Sequence, residues 1–254
     1  MKCLVAAALL AASLGACAQS RPAPNGGLYN PTSTYGASFT GTLPSRDILS
    51  GLAEGRELLL FAGDWDHQVH QGRKTDYRWE VEILPLTLLR NPRQVATATI
   101  TVPGQPVFIV HTNELVLKPC TSYSSNEVYI SGPAGYPTGP GTVSYTQTCS
   151  QEWDYLGGIS PLGQRVSWRP GERLQPYAIV NAGFLAATQS VPTYSAAKFN
   201  FTVEAGFGAE WFLRPRRSIA FDVRYHHLSN AGRADNNPSV ENVAFRLSYR
   251  LGRR

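Results

Sequence analysis

An all-β fold, an eight-stranded antiparallel transmembrane β-barrel with a long external insertion, is what this sequence predicts, and three observations predict it. Apolar and polar residues alternate with a period of two through run after run, which is the pattern of strands with two different faces. Helix-period segments are scarce, while Gly (23) and Pro (18) are frequent in a chain of 254 residues. The chain also opens with an export leader.

Residues 1–18 hold one basic residue, an apolar run and a small-residue end, which describes a secretory signal peptide too short for a stable membrane span. Two processing routes fit. Ala16-Cys17-Ala18 is a small-x-small site ahead of Gln19, whereas Leu14-Gly15-Ala16-Cys17 resembles a bacterial lipobox whose cysteine is lipidated. The first is preferred, since a barrel needs no lipid anchor. Residues 19–33 are rich in Pro, Asn and Gly and read as a loose N-terminal tail.

The barrel domain is expected over 34–254, with candidate strands at 35–42, 57–67, 75–89, 151–168, 173–188, 198–213, 218–229 and 240–251. Alternation is clearest in the sixth. Phe199, Phe201, Val203, Ala205, Phe207, Ala209 and Trp211 take one face, and Asn200, Thr202, Glu204, Gly206, Gly208 and Glu210 the other. In the third, Tyr77, Trp79, Val81 and Ile83 oppose Asp76, Arg78, Glu80 and Glu82. A soluble sandwich would turn the apolar face inward; an outer-membrane barrel turns it to lipid and lines its interior with the other face. The charges on that other face have both signs and suit an internal network.

Short links between the second and third, fourth and fifth, and sixth and seventh strands mark the periplasmic end, because such barrels keep their longer loops outside. The insertion at 91–150 is therefore external. Its β-like runs at 95–102 and 107–117 leave two readings open, a hairpin extending the rim or a ten-stranded barrel, and 132–141 reads as a mobile loop. Beyond the leader, Cys120 and Cys149 flank a Gly/Pro/Ser/Thr/Tyr-rich stretch, and in an exported chain they are expected to pair as a disulfide.

A net charge of +5, scattered over turns without a basic stripe, argues against a nucleic-acid partner. No phosphate loop, dinucleotide fingerprint or Gly-x-Ser-x-Gly elbow occurs. His67 and His70 fall on opposite faces of a strand, so no metal site is expected there, and no cofactor is implied.

The chemistry gathers near the C-terminal end. His227 and Ser229 share the face of Phe221, Val223 and Tyr225, while Glu241 opens the apolar face that continues through Val243 and Phe245. If these runs pair across 230–239, a serine, a histidine and a carboxylate converge. An imidazole that takes the serine proton, fixed by a carboxylate, makes a nucleophile of a weak hydroxyl. His226 points inward by parity and reads as structural.

The stretch Tyr225-His-His-Leu-Ser-Asn-Ala-Gly232, with Glu241 inside Asn237-Pro-Ser-Val-Glu-Asn242, resembles the PagL-type lipid A 3-O-deacylases and their acyloxyacyl hydrolase-like relatives. Residues 78–85, 174–183 and 198–208 look similar to the broader family pattern. The resemblance implies a small barrel in the outer membrane of a Gram-negative bacterium that acts on lipid A of lipopolysaccharide. His227 would be the base, Ser229 the nucleophile and Glu241 the orienting acid, with Asn230 and the backbone around Gly232 forming the oxyanion hole. By parity this site lies on the lipid-facing wall at the external rim. Two rivals remain at this stage: a non-enzymatic barrel, structural or adhesin-like, and a soluble periplasmic β-protein. Dimerisation is left open.

Overall fold

A computed structural model describes residues 29–253, so the expected signal peptide lies outside the described residues. Ten strands follow in order: β1 (Ser33–Thr42), β2 (Glu57–Gln71), β3 (Thr75–Thr101), β4 (Phe108–Leu115), β5 (Tyr123–Ser131), β6 (Thr138–Trp168), β7 (Leu174–Ala187), β8 (Phe199–Arg214), β9 (Arg217–Ser229) and β10 (Val240–Arg253). Consecutive strands pair antiparallel except β4 and β5, β10 closes on β1, and β3 pairs with β6. Eight strands thus form a closed ring, which leaves no open edge in the wall.

The two remaining strands lie beyond the ring. β3 and β6 are far longer than their partners, 27 and 31 residues, and stay paired as far as Thr101↔Thr142. β4 adds to the outer half of β3 and β5 to the outer half of β6. The insertion is therefore a four-stranded blade rising from the rim, and the ten-stranded ring is ruled out. The sequence reading began the fourth strand at 151; pairing with β3 carries it back to Thr142 and pairing with β5 to Thr138, so only 132–137 of the expected loop lies between strands. Cys120 is joined to Cys149, with Cα atoms 5.8 Å apart, fastening the segment after β4 to β6.

The end of the expected N-terminal tail is tied to the wall. Tyr29 bridges to Gly171, and Asn30 and Pro31 accept hydrogen bonds from Arg78 before β1 begins.

Alternation divides each strand between two environments. The outer face is apolar and accessible, with Phe207 at 72% exposure. A phenylalanine so exposed is at home in lipid, not in water. The inner face has two layers. Next to the long loops it is apolar, with Leu58, Leu60, Leu89, Leu156, Leu185 and Leu228 packed together. Below them lie the buried carboxylates Asp64, Asp66, Asp76, Glu80, Glu82, Glu204, Glu210 and Asp222 and the guanidiniums of Arg78, Arg165, Arg224, Arg246 and Arg250. Arg224 joins Asp222, Glu204 and Glu82; Arg250 joins Asp66 and Glu80; Arg246 bridges Asp64 and Glu82. Inward-facing glycines leave the room these groups need. A Cβ on Gly206 would come within 2.8 Å of Arg224 Cγ, and one on Gly208 within 2.7 Å of the Tyr177 ring.

Short connections of 72–74, 169–173 and 215–216 gather at one end of the ring, and 43–56, 188–198, 230–239 and the blade at the other. Arg56 ties the long-loop end together. Fully buried, it donates to Asn91 Oδ1 and to the carbonyls of Glu54, Val116, Leu117 and Pro192. Burial lowers its guanidinium to about 10, so the charge persists at neutral pH and is met by these acceptors.

Candidate active site

β9 ends at Ser229 and β10 starts at Val240, so the 230–239 loop turns the chain at the long-loop end. In that hairpin His227 and Glu241 are direct cross-strand partners. Both follow the outward parity of Ile219, Phe221 and Val223, and His227 Nδ1 lies 3.3 Å from Glu241 Oε1. Ser229 is on the same face one step further along. Two residues of strand span roughly 6.8 Å, within reach of an imidazole. His227 Nδ1 is turned to the carboxylate, and among the described residues no hydrogen bond joins Ser229 Oγ to the ring. The structure thus brings His227 and Glu241 into contact and sets Ser229 beside them, half-buried.

Glu241 is wholly buried despite its outward parity. The β1–β2 loop folds down over it. The Ile48 and Leu49 amides donate to Oε2 at 3.0 and 2.7 Å, and the Ser50 amide and hydroxyl both donate to Oε1 at 3.0 Å. Such a nest of donors stabilises an ionised carboxylate without a cation. Gly51 permits the approach, because a Cβ there would meet Glu241 Cγ at 3.0 Å. The Ser239 hydroxyl, donating to Ser50 O, fastens the loop to the 230–239 turn. The Tyr225 hydroxyl lies 3.4 Å from His227 Nδ1 and also reaches Glu241. Sequence reasoning missed residues 48–50, since a backbone N–H carries no residue signal; Tyr225 had one, its place two residues before His227 on the same face.

The turn expected to supply the oxyanion hole is ordered by its own side chains. Asn230 N donates to Asn237 Oδ1, Asn230 Nδ2 to Asn236 O, and Gly232 N to Asn230 Oδ1 at 2.9 Å. Ala231 and Gly232 both take positive φ, 54° and 76°. For alanine this is a costly conformation of the kind that functional loops hold. Arg233 lies over Phe199 and Phe201, and Phe201 is the cross-strand partner of Ser229.

Inward-facing His226 is fully buried, with Nε2 3.0 Å from Thr202 Oγ1 and 4.0 Å from Glu204. On the outer wall, Tyr225 stands at the head of an apolar cavity of 560 Å³ lined by Ile48, Val180, Ala205, Phe207, Val223 and Val243. Tyr225, two residues before His227 on the same face, also lines it.

Residues 133–250 match the family described as Lipid A 3-O-deacylase (PagL). Among solved structures the chain is similar to the outer membrane enzyme PagL, at 12% identity, over 85% of this chain and 99% of that one, with a TM-score of 0.48. It is also similar to Neisserial surface protein A, at 8% identity over 86% and 96% of the two chains and a TM-score of 0.37, and to an outer membrane channel from Pseudomonas putida F1, at 9% identity over 92% and 99% with a TM-score of 0.31. No curated protein matches the sequence. The resemblance seen in 225–242 is borne out over the segment that carries those residues, and the expected all-β barrel is borne out by the closed antiparallel ring.

Proposed function

With residues 133–250 matching the lipid A 3-O-deacylase family, we propose that this barrel is a serine esterase that removes an ester-linked acyl chain from lipid A within the outer membrane. The observation that carries the reading is the His227–Glu241 pair, hydrogen-bonded on the outer wall one strand step from Ser229. Uncompensated polar groups facing hydrocarbon are expensive, and when found there they mark function.

Ser229 Oγ attacks the acyl carbonyl while His227 takes its proton; Glu241 holds the imidazole in the tautomer with its proton on Nδ1 and stabilises the cation that forms. Donors of the Asn230–Gly232 turn receive the developing oxyanion. The Gly232 amide, given to Asn230 Oδ1 at rest, passes to the stronger acceptor as charge builds on the substrate oxygen. The bond between the acyl carbon and the ester oxygen breaks, His227 gives its proton to the sugar oxygen that leaves as an alkoxide, and a water activated by the same histidine hydrolyses the acyl-enzyme to free fatty acid and Ser229. The apolar cavity that Tyr225 lines accepts the acyl chain, so the substrate arrives by lateral diffusion in the leaflet and keeps its tails in an apolar environment throughout.

Mass analysis of lipid A from cells carrying the wild type or Ser229→Ala tests this. The expected result is loss of one ester-linked chain with the wild type and full acylation with the variant, both proteins folding to the same heat-modifiable species. Identical lipid A in the two strains sinks the proposal.

A further inference from the structure

The charged layer of the lumen is not balanced. Among the described residues it holds eight carboxylates against five guanidiniums, and the excess is concentrated in one hairpin. On β2 and β3, Asp64 is the direct cross-strand partner of Glu82, and Asp66 of Glu80. Like charges directly opposite each other destabilise a sheet, and these face a closed interior. Arg246 and Arg250, reaching across from β10, each hold one acid of each strand. They do not saturate the group. Asp64, Glu80 and Glu82 each place one carboxylate oxygen within 4.8 Å of the other two. Moreover, Asp64 Oδ2 and Glu80 Oε1 are buried and meet no hydrogen-bond donor, although Asp64 is only 6% exposed and Glu80 not at all. A buried anionic oxygen without a partner is costly.

We infer that Asp64, Glu80 and Glu82 form a binding site for a single hard divalent cation inside the barrel. Three carboxylate oxygens and no nitrogen or sulfur donor select Ca²⁺ or Mg²⁺ over the softer transition metals. Ca²⁺ is the better match, since its oxygen ligands stand at about 2.3–2.6 Å and tolerate irregular geometry, whereas Mg²⁺ demands a compact octahedron. The ion supplies the two unpartnered oxygens with a ligand and offsets the like-charge contact between β2 and β3. It lies in the lumen, on the opposite side of the wall from Ser229, and is taken up as the ring closes. Its role is structural and independent of the esterase reading.

The experiment uses the full mature chain, unfolded in EDTA and refolded in an uncharged detergent with Ca²⁺, with Mg²⁺, or with EDTA retained. After desalting, metal content is measured by elemental mass spectrometry and the thermal midpoint by heat-modifiable gel migration. Wild type is expected to retain about one Ca²⁺ per chain and to show a midpoint that climbs with Ca²⁺ concentration. Glu80→Gln removes one charge and points an amide N–H₂ into the cluster, so it should retain no ion, lose the Ca²⁺ dependence, and in EDTA melt no lower than wild type. Equal metal content in the two proteins overturns the inference by showing adsorption elsewhere. So does a wild-type midpoint that ignores both ions and rises only as pH is lowered, because protons alone then neutralise the cluster. If Glu80→Gln fails to fold, the wild-type comparison between Ca²⁺ and EDTA decides on its own.

Discussion

His226 and His227 are joined by one peptide bond and separated by the thickness of the barrel wall. The first is fully buried in the lumen, held by Thr202 and close to Glu204. The second stands on the lipid side against Glu241, with a quarter of its side chain accessible. Neither propensity nor local composition distinguishes them; the period of two does. Inside, a polar group is surrounded by partners and contributes to cohesion. Outside, where Val203 lies opposite His227 and Phe201 opposite Ser229, polarity must be concentrated and shielded, and the β1–β2 loop shields it by covering Glu241. The same residue type on the same strand is thus a scaffold element in one position and the proposed base in the next.

Substitutions on the two faces should break along that line. The largest effect belongs to the outer face: His227→Ala should lower lipid A deacylation by roughly a thousandfold or more while leaving the unfolding midpoint within a few degrees of wild type. Retained activity in a membrane assay would remove His227 from the mechanism. Inside, Arg224→Ala takes the guanidinium from Glu204 and Asp222 and leaves Glu82 with the Arg246 guanidinium alone, and should cost about 3–5 kcal/mol of stability, read by urea unfolding in lipid vesicles. A loss under about 1 kcal/mol would mean that the network is solvated and not cohesive. His226→Ala should cost about 1–3 kcal/mol by leaving Thr202 without its partner, with turnover unchanged in whatever fraction is folded; a drop in turnover of that fraction would erase the distinction between the two histidines. Ser50→Ala is the mildest. It removes one of the donors to Glu241 and keeps the amides, so turnover should fall by only about tenfold, the equivalent of roughly 1.4 kcal/mol, with substrate KM unmoved.

Much of this arrangement is legible in the chain itself. The outward run Ile219, Phe221, Val223, Tyr225, His227 and Ser229 specifies which face carries the site, and the cross-strand meeting of His227 with Glu241 follows from a single hairpin. What escapes sequence reading has physical causes. Residues 138–150 are Gly-, Ser- and Thr-rich and resemble a loop, yet they extend β6 because the outer half of β3 offers a complementary ladder; tertiary pairing overrides a weak local preference. β5 escapes for the same reason. The clamp on Glu241 is made largely of backbone amides, which every residue but proline possesses. Asp64, Glu80 and Glu82 are separated in sequence, so only the β2–β3 register reveals that they share a place.

The clamp also ties the two ends of the chain together. His227 and Glu241 come from the last hairpin of the chain, while Ile48, Leu49 and Ser50 follow the first strand, and the two ends meet only where β10 pairs with β1. Until that seam is zipped, the carboxylate lacks the donors that hold it, and the imidazole lacks a fixed support. On the proposed mechanism, assembly itself then serves as the safety catch: a chain whose two ends have not met carries Ser229, His227 and Glu241 without the support that the mechanism requires. Hydrolysis sampled along a refolding course should begin with closure of the ring, and turnover by a species still open at the seam would show that the catch does not exist.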